Sequence, residues 1–343
     1  MSITSDRATT PPVAPTPTHA DSWDLAASYK LSQSAIAGDV LAELADSDER
    51  IAVLTADLKF SNRTAEFETR HPDRFFNLGI AEQNMVSVAA GMATVGYVPY
   101  VASFASFLGL LCVEQIRTDL AYPGLPVRVL AHHAGISMGF YGTSHHATED
   151  LGIMRTIAGL TVIAPCDAPS LAKALRTTVD YPGPIYFRLG RGREATVYDD
   201  TAATFEVGKI GVLRDGDDLT IAANGVTVAP ALEAAERLAT EGVQAAVLDV
   251  HTTRPFDAET LCRHVGRSGR LLVAEEHNVY GGVATTCADA LVDNGVGPVM
   301  LERLGMPVDD YALVGPPTAL WRHYGMDAEG IHTRARELHA RMR

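Results

Sequence analysis

From Trp23 onward the chain alternates short apolar runs with amphipathic stretches, and it does so in two blocks. In the first block the strand-like runs are 51–56, 75–78, 98–103, 127–131, 160–164 and 185–189. Helix signals fall at 32–45, 81–95 and 106–120, near 149–157, and after Asp167-Ala168-Pro169. In the second block the runs 219–223, 245–250, 271–274 and 299–304 are separated by helices starting near Val226, Asp257 and Gly282. A last helix covers about 328–342. Runs that are apolar throughout, rather than alternating, belong to strands buried on both faces, which means largely parallel sheets covered by helices. The reading is α/β, with two domains, each a mostly parallel sheet covered by helices on both faces. Residues 1–22, rich in Thr and Pro, read as a disordered leader. The first domain is placed at 23–195, a linker rich in Gly, Arg, Asp and Thr at 196–217, and the second domain at 218–343.

Charge narrows the class. The chain carries 28 basic and 42 acidic residues, a net charge of −14. That disfavours a nucleic-acid partner, and no Lys/Arg run suggests a membrane surface. No apolar stretch approaches ~18 residues and no signal peptide opens the chain, so a cytoplasmic protein is expected. Cys112, Cys166, Cys262 and Cys287 form no CxxC pair and read as core residues.

In open α/β sheets ligands bind beyond the carboxyl ends of the strands, and the informative residues gather there. Asp57 follows the first run, and Glu82 opens the helix after the second. Phe104 and Phe107 follow the third, while His132 and His133 end the fourth. His145 and His146 lie in the Gly-rich loop beyond, and Arg188 ends the run at 185–189. Each has a plain structural reading by itself. Asp57 would cap a turn, Glu82 would complement a helix dipole, Phe104 and Phe107 would pack, and Arg188 would make a surface ion pair. Four histidines without a neighbouring Cys or HxxH spacing make a weak metal site. Five strands delivering such groups to one rim are not explained by packing. No GxGxxG follows the first strand and no GxxxxGK[ST] occurs, which disfavours dinucleotide and P-loop chemistry.

These residues resemble the C-terminal half of transketolase, its pyrimidine-binding and C-terminal domains. The segments concerned are Lys30-Leu31-Ser32, Ala56-Asp57-Leu58 with Ser61-Asn62, Asn77-Leu78-Gly79-Ile80-Ala81-Glu82-Gln83-Asn84-Met85 and Gly142-Thr143-Ser144-His145-His146. Arg188-Leu189-Gly190-Arg191-Gly192 and Glu275-Glu276-His277 with Gly281-Gly282 add to them. The Gly-Asp-Gly magnesium motif of the family's diphosphate-binding domain does not occur. The resemblance therefore implies the β-type subunit of a split transketolase, paired with an α-type subunit in an α2β2 assembly and inactive alone. It implies thiamine diphosphate as cofactor, with Mg2+ held mainly by the partner subunit and no metal ligand in this chain.

By the same resemblance, Glu82 hydrogen-bonds the aminopyrimidine ring, Phe104 and Phe107 stack on it, Ile80 packs beneath it and Asp57 sits close by. His133 and His145 bind substrate hydroxyls and relay protons. Ser61, His133 and Arg188 hold a sugar phosphate, and Tyr141 and His146 line the substrate site. The reaction implied is transfer of a two-carbon ketol unit from a ketose to an aldehyde. Two departures bear on substrate. Tyr29 stands where the family commonly has a phosphate-binding Arg, and Tyr141 and His146 replace an Asp and a Gln. An unusual substrate, held with less reliance on phosphate, is the expectation. The E1 β subunit of a 2-oxo acid dehydrogenase and a 1-deoxyxylulose-phosphate-synthase-like enzyme are the rival readings.

Overall fold

The computed structural model describes residues 33–192, 194–198 and 205–341. The expected leader, Tyr29 and the Lys30-Leu31-Ser32 segment lie outside the described residues. Two sheets carry the fold. The first contains β1 (Ile51–Thr55), β2 (Phe75–Asn77), β3 (Val98–Phe104), β4 (Arg128–His132), β5 (Thr161–Ile163) and β6 (Ile185–Arg188). The second contains β7 (Gly211–Arg214), β8 (Leu219–Ala223), β9 (Ala245–Asp249), β11 (Arg270–Asn278) and β12 (Met300–Met306). β10 (Thr252–Arg254) follows β9 in the chain but joins the first sheet, whose strand order is β10-β5-β6-β4-β3-β1-β2. The second runs β12-β11-β8-β9-β7.

All pairings are parallel except at one edge of each sheet, where β10 lies against β5 and β7 against β9. Full burial of β1, β3, β4, β6, β8 and β9 accounts for their mostly apolar sequences without an in–out alternation. Local signals place the helices. Asp167 caps the Ala168–Thr177 helix by accepting from the Ser170 amide. Asp257 does the same at Thr260 for Ala258–Ser268, which ends on left-handed Gly269 at φ 63°.

The structure departs from the sequence expectation in four places. First, β7 lies inside the stretch assigned to the linker, and its flank is only half-buried, so no apolar run announces it. Second, β10 is Thr-Thr-Arg, too short and polar to be read as a strand, yet it ties the second half of the chain to the first sheet. Third, the regular helix expected at 106–120 is instead π-helical at Phe107–Leu111 and Ile116–Ala121, around a short α turn. Leu108, Cys112, Ile116 and Leu120 are all buried. A spacing of four drifts around a 3.6-residue helix, and wider turns keep those side chains on one face. Fourth, β11 continues through Glu275, Glu276 and His277, and a helix at Pro317–His323 was not anticipated. Among the described residues, no helix is long and apolar enough to cross a membrane.

Candidate active site

The first sheet changes direction between β1 and β3: the chain leaves β1 for β2 on one side and returns to β3 on the other. Such a switch point opens a crevice above the strand ends. Glu82 begins the Glu82–Thr94 helix on one wall of it and is buried, 8% exposed. Ser103, near the end of β3, donates its hydroxyl to Glu82 Oε1 at 3.2 Å. The Cys112 thiol lies behind; burial, with the Glu82 charge adding, pushes it up to about 12. Asp57 leaves β1 in the left-handed region at φ 61°, which a non-glycine residue adopts at a cost. Asn77, at the end of β2, holds it there. Its Oδ1 accepts from the Asp57 and Gly79 amides at 2.9 and 3.1 Å, and its Nδ2 donates to Asp57 Oδ1. Ile80 projects outward, 86% exposed.

The residue after Ser103 extends the site. The Phe104 ring lies 5.5 Å from Phe107, and His133 meets its edge at 4.7 Å. His145 stands 5.3 Å from Phe107 and 5.9 Å from Phe104, with Tyr141 4.9 Å from its other side. Neighbouring residues of β3 thus join the carboxylate to a cluster of aromatic and imidazole rings. His133 is also left-handed, at φ 61°, and its Nδ1 has no hydrogen-bond partner among the described residues. Burial first, then the charges of His132, Arg191 and His145, hold the His133 imidazole well below its ordinary value. Burial lowers His145 and His146 as well. These rings are neutral near pH 7 and can take a proton.

Not every expected residue joins the cluster. Arg188, expected to hold a sugar phosphate, is instead buried and taken up by partners within the fold. Its Nε donates to both Asp150 oxygens at 2.9 and 3.1 Å, and its Nη2 to the Ala147 and Glu276 carbonyls. The ion pair is therefore neither exposed nor open to a ligand. The cation near the imidazoles is Arg191, three residues on, whose charge is felt at His133. The Arg-Leu-Gly-Arg-Gly motif contained both, and sequence spacing could not say which one is already taken by a buried carboxylate. Ser61 is exposed on the loop after β1 and is not among the groups that touch the rings. His146 is buried beside His145 in sequence but has no ring contact with the cluster. A further sequence pattern, Gly135-Ile136-Ser137-Met138-Gly139, has the spacing of a nucleophile elbow. Ser137 is buried and gives its hydroxyl to the Ala134 carbonyl at 2.7 Å, so it is a structural residue.

A buried carboxylate, a pair of phenyl rings and unpartnered imidazole nitrogen fit an aminopyrimidine and a polyhydroxylated substrate. Among the described residues, no group of three acids, histidines or cysteines is placed to hold a metal ion.

Comparison with known proteins identifies the family. The family model described as transketolase, pyrimidine binding domain, matches residues 30–194, and that of transketolase, C-terminal domain, matches 208–331. The 6-deoxy-6-sulfo-D-fructose transketolase subunit of a Clostridium species is 39% identical over 300 residues, covering 88% of this chain and 92% of that protein. An apulose-4-phosphate transketolase subunit from Phocaeicola vulgatus is 36% identical over 293 residues, covering 85% of this chain and 93% of that one. A solved structure described as a split gene transketolase, inactive beta4 tetramer, superposes with a TM-score of 0.81 at 36% identity, covering 91% of this chain and 99% of that chain.

Proposed function

We propose a division of labour for this chain, which belongs to the transketolase family and is a transferase subunit of the split, thiamine-diphosphate-dependent kind. It contributes the pyrimidine-binding wall and the substrate imidazoles, and an α-type partner contributes the diphosphate site and the Mg2+ in an α2β2 assembly. The observation that carries this is the junction on β3: Ser103 orients Glu82, and Phe104 touches His133.

When bound, thiamine diphosphate supplies the carbon centre that breaks and remakes the C–C bond beside a ketose carbonyl. The chain's own groups do the rest. Ser103 occupies Glu82 Oε1, which fixes the carboxylate and leaves Oε2 for the pyrimidine ring nitrogen. Phe104 and Phe107 form an apolar wall that stacks on that ring and excludes water. Ile80 and Asp57 border the cofactor from the β1–β2 side. His133 and His145, neutral at physiological pH, accept protons from substrate hydroxyls and return them. Tyr141, against the far side of His145, and the buried His146 line the same loop, and Ser61 offers its hydroxyl from the exposed loop after β1.

Arg191 supplies the cation for a terminal anion on the substrate, a role expected of Arg188 from the sequence. The two named relatives act, by their names, on a ketose phosphate and a sulfonated ketose, which supports a donor with an anionic end. The β4 tetramer called inactive supports dependence on a second subunit.

Purified chain and α-type partner, combined with thiamine diphosphate and Mg2+, test the reading. Ketol transfer from a phosphorylated or sulfonated ketose to an aldehyde is expected, with no turnover by this chain alone. Turnover of pyruvate or another 2-oxo acid in its place, or full activity without a partner, rejects it.

A further inference from the structure

The loop at 134–147 has little bed of its own; it lies on the second domain. Its neck is closed by Gly135 and Ala147, which exchange both backbone hydrogen bonds at 3.0 and 2.8 Å. His133 stands two residues before one side of that neck and His145 two before the other. Glu276, at the end of β11, is buried directly against it. Glu276 Oε1 accepts from the Ile136 amide at 3.2 Å and from Trp321 Nε1 at 2.6 Å. A Cβ on Gly135 would lie 2.2 Å from Glu276 Oε2, so the backbone rests on the carboxyl only because this residue is glycine at φ 62°.

The rest of the loop leans the same way. Gly139, at φ 51°, packs where a Cβ would meet the Gly315 carbonyl at 2.4 Å, and Gly142 faces Val314. The Ile136 side chain is buried with Met306, Leu320 and Met326 of the second domain. Arg188 Nη2 bridges the Ala147 and Glu276 carbonyls.

We propose that Glu276, with Trp321, is a positioning residue that reaches across from the second domain, clamps the neck of the histidine loop and sets the two imidazoles against Phe104. It touches neither imidazole and acts only through the backbone at 135–136. Burial pushes its carboxyl up to about 7, a cost that an apolar residue here would avoid. The second domain thereby takes part in chemistry at a distance. The effect on turnover rests on the ketol-transfer reading; the clamp itself does not.

The test uses the full chain with its α-type partner and the variants Glu276→Ala, Glu276→Gln and Trp321→Phe. In Glu276→Ala, amide hydrogen exchange over 134–147 should rise at least ~10-fold while the Glu82–Thr94 helix is unchanged. Turnover should fall ~10–100-fold, the scale of a small misplacement of a reacting group. The acid limb of the pH–rate profile should move up toward an ordinary histidine as the imidazoles gain water. Glu276→Gln keeps an acceptor for both donors and should restore most of each signal. Trp321→Phe, the mildest change, should raise exchange in the same segment by a smaller factor. The clamp is overturned if exchange rises evenly along the chain, if the pH limb and turnover per folded molecule stay at wild type, or if Gln is as poor as Ala. A wild-type pair that transfers no ketol ends the functional reading, whereas exchange at 134–147 judges the clamp by itself.

Discussion

The two sheets are built alike, yet their strand ends do different work. On the first, Asp57 and His133 leave β1 and β4 with left-handed backbones, and His133 Nδ1 has no partner among the described residues. On the second, no residue other than glycine leaves a strand in the left-handed region, and most polar groups are drawn into the fold, although Asn224 Oδ1 and Asp249 Oδ1 keep no partner among the described residues. After β8, Asn224 Nδ2 donates to the Val250 carbonyl at 2.6 Å, and Thr227 donates to Ala274. At the end of β9, Asp249 accepts from the Tyr198 hydroxyl at 2.8 Å. On β11, both Glu275 oxygens accept helix-start amides, from Val283 and Ala284, at 2.7 and 2.9 Å. One architecture yields a site where two strand ends retain backbone strain, and yields scaffold where the strand ends are unstrained and their side chains mostly hold the fold together.

Four substitutions sharpen or break that contrast. Glu82→Gln in the assembled complex should lower turnover by ~10²–10⁴-fold with little change in melting temperature, measured by steady-state assay and calorimetry. Unchanged turnover would remove the first rim from the chemistry. Arg188→Ala should behave in the opposite way. Asp150 would be left buried without its cation, at a cost of about 3–5 kcal/mol in denaturant titration. Arg191→Ala should cost less stability than Arg188→Ala and raise KM for an anionic ketose ~10-fold or more. A larger stability loss for Arg191 than for Arg188 would reverse the assignment of the two arginines.

The smallest effect concerns pH on the second rim. Burial lifts Asp249 from 3.8 to about 7. The native state therefore holds a proton that the unfolded chain has already lost, and stability falls as pH rises from about 4 to about 7. Asp249→Asn removes that loss. Its stability relative to wild type should be higher at pH 8 than at pH 5 by about 1–3 kcal/mol, read from urea unfolding at both values. Equal differences at the two pH values would mean that the carboxylate is not desolvated as its burial implies. On the first rim, the lowered His133 and His145 place the acid limb of turnover below pH 6.5, with a flat response above it.

Much of the fold was legible because parallel strands buried on both faces are mostly apolar without alternation, as β1, β3, β4, β6, β8 and β9 are. β7 and β10 were not, since an edge strand paired on one side can be polar and short. Glu82, Phe104, Phe107, His133 and His145 could be picked out because each follows a strand. Arg188 misled for the same reason. Position at a strand end says which rim a side chain reaches, not whether a neighbour such as Asp150 has already taken it.

By itself the sequence determined the two-domain α/β architecture, the rim on which chemistry can occur and the residue types available there, all of which follow from local periodicity and from strand ends. Tertiary structure alone decided that Arg188 is buried against Asp150, that β10 crosses to the first sheet, and that the histidine loop is seated on Glu276. Those outcomes depend on contacts between segments as much as 140 residues apart, where the choice of partner is made by packing and desolvation rather than by any local pattern.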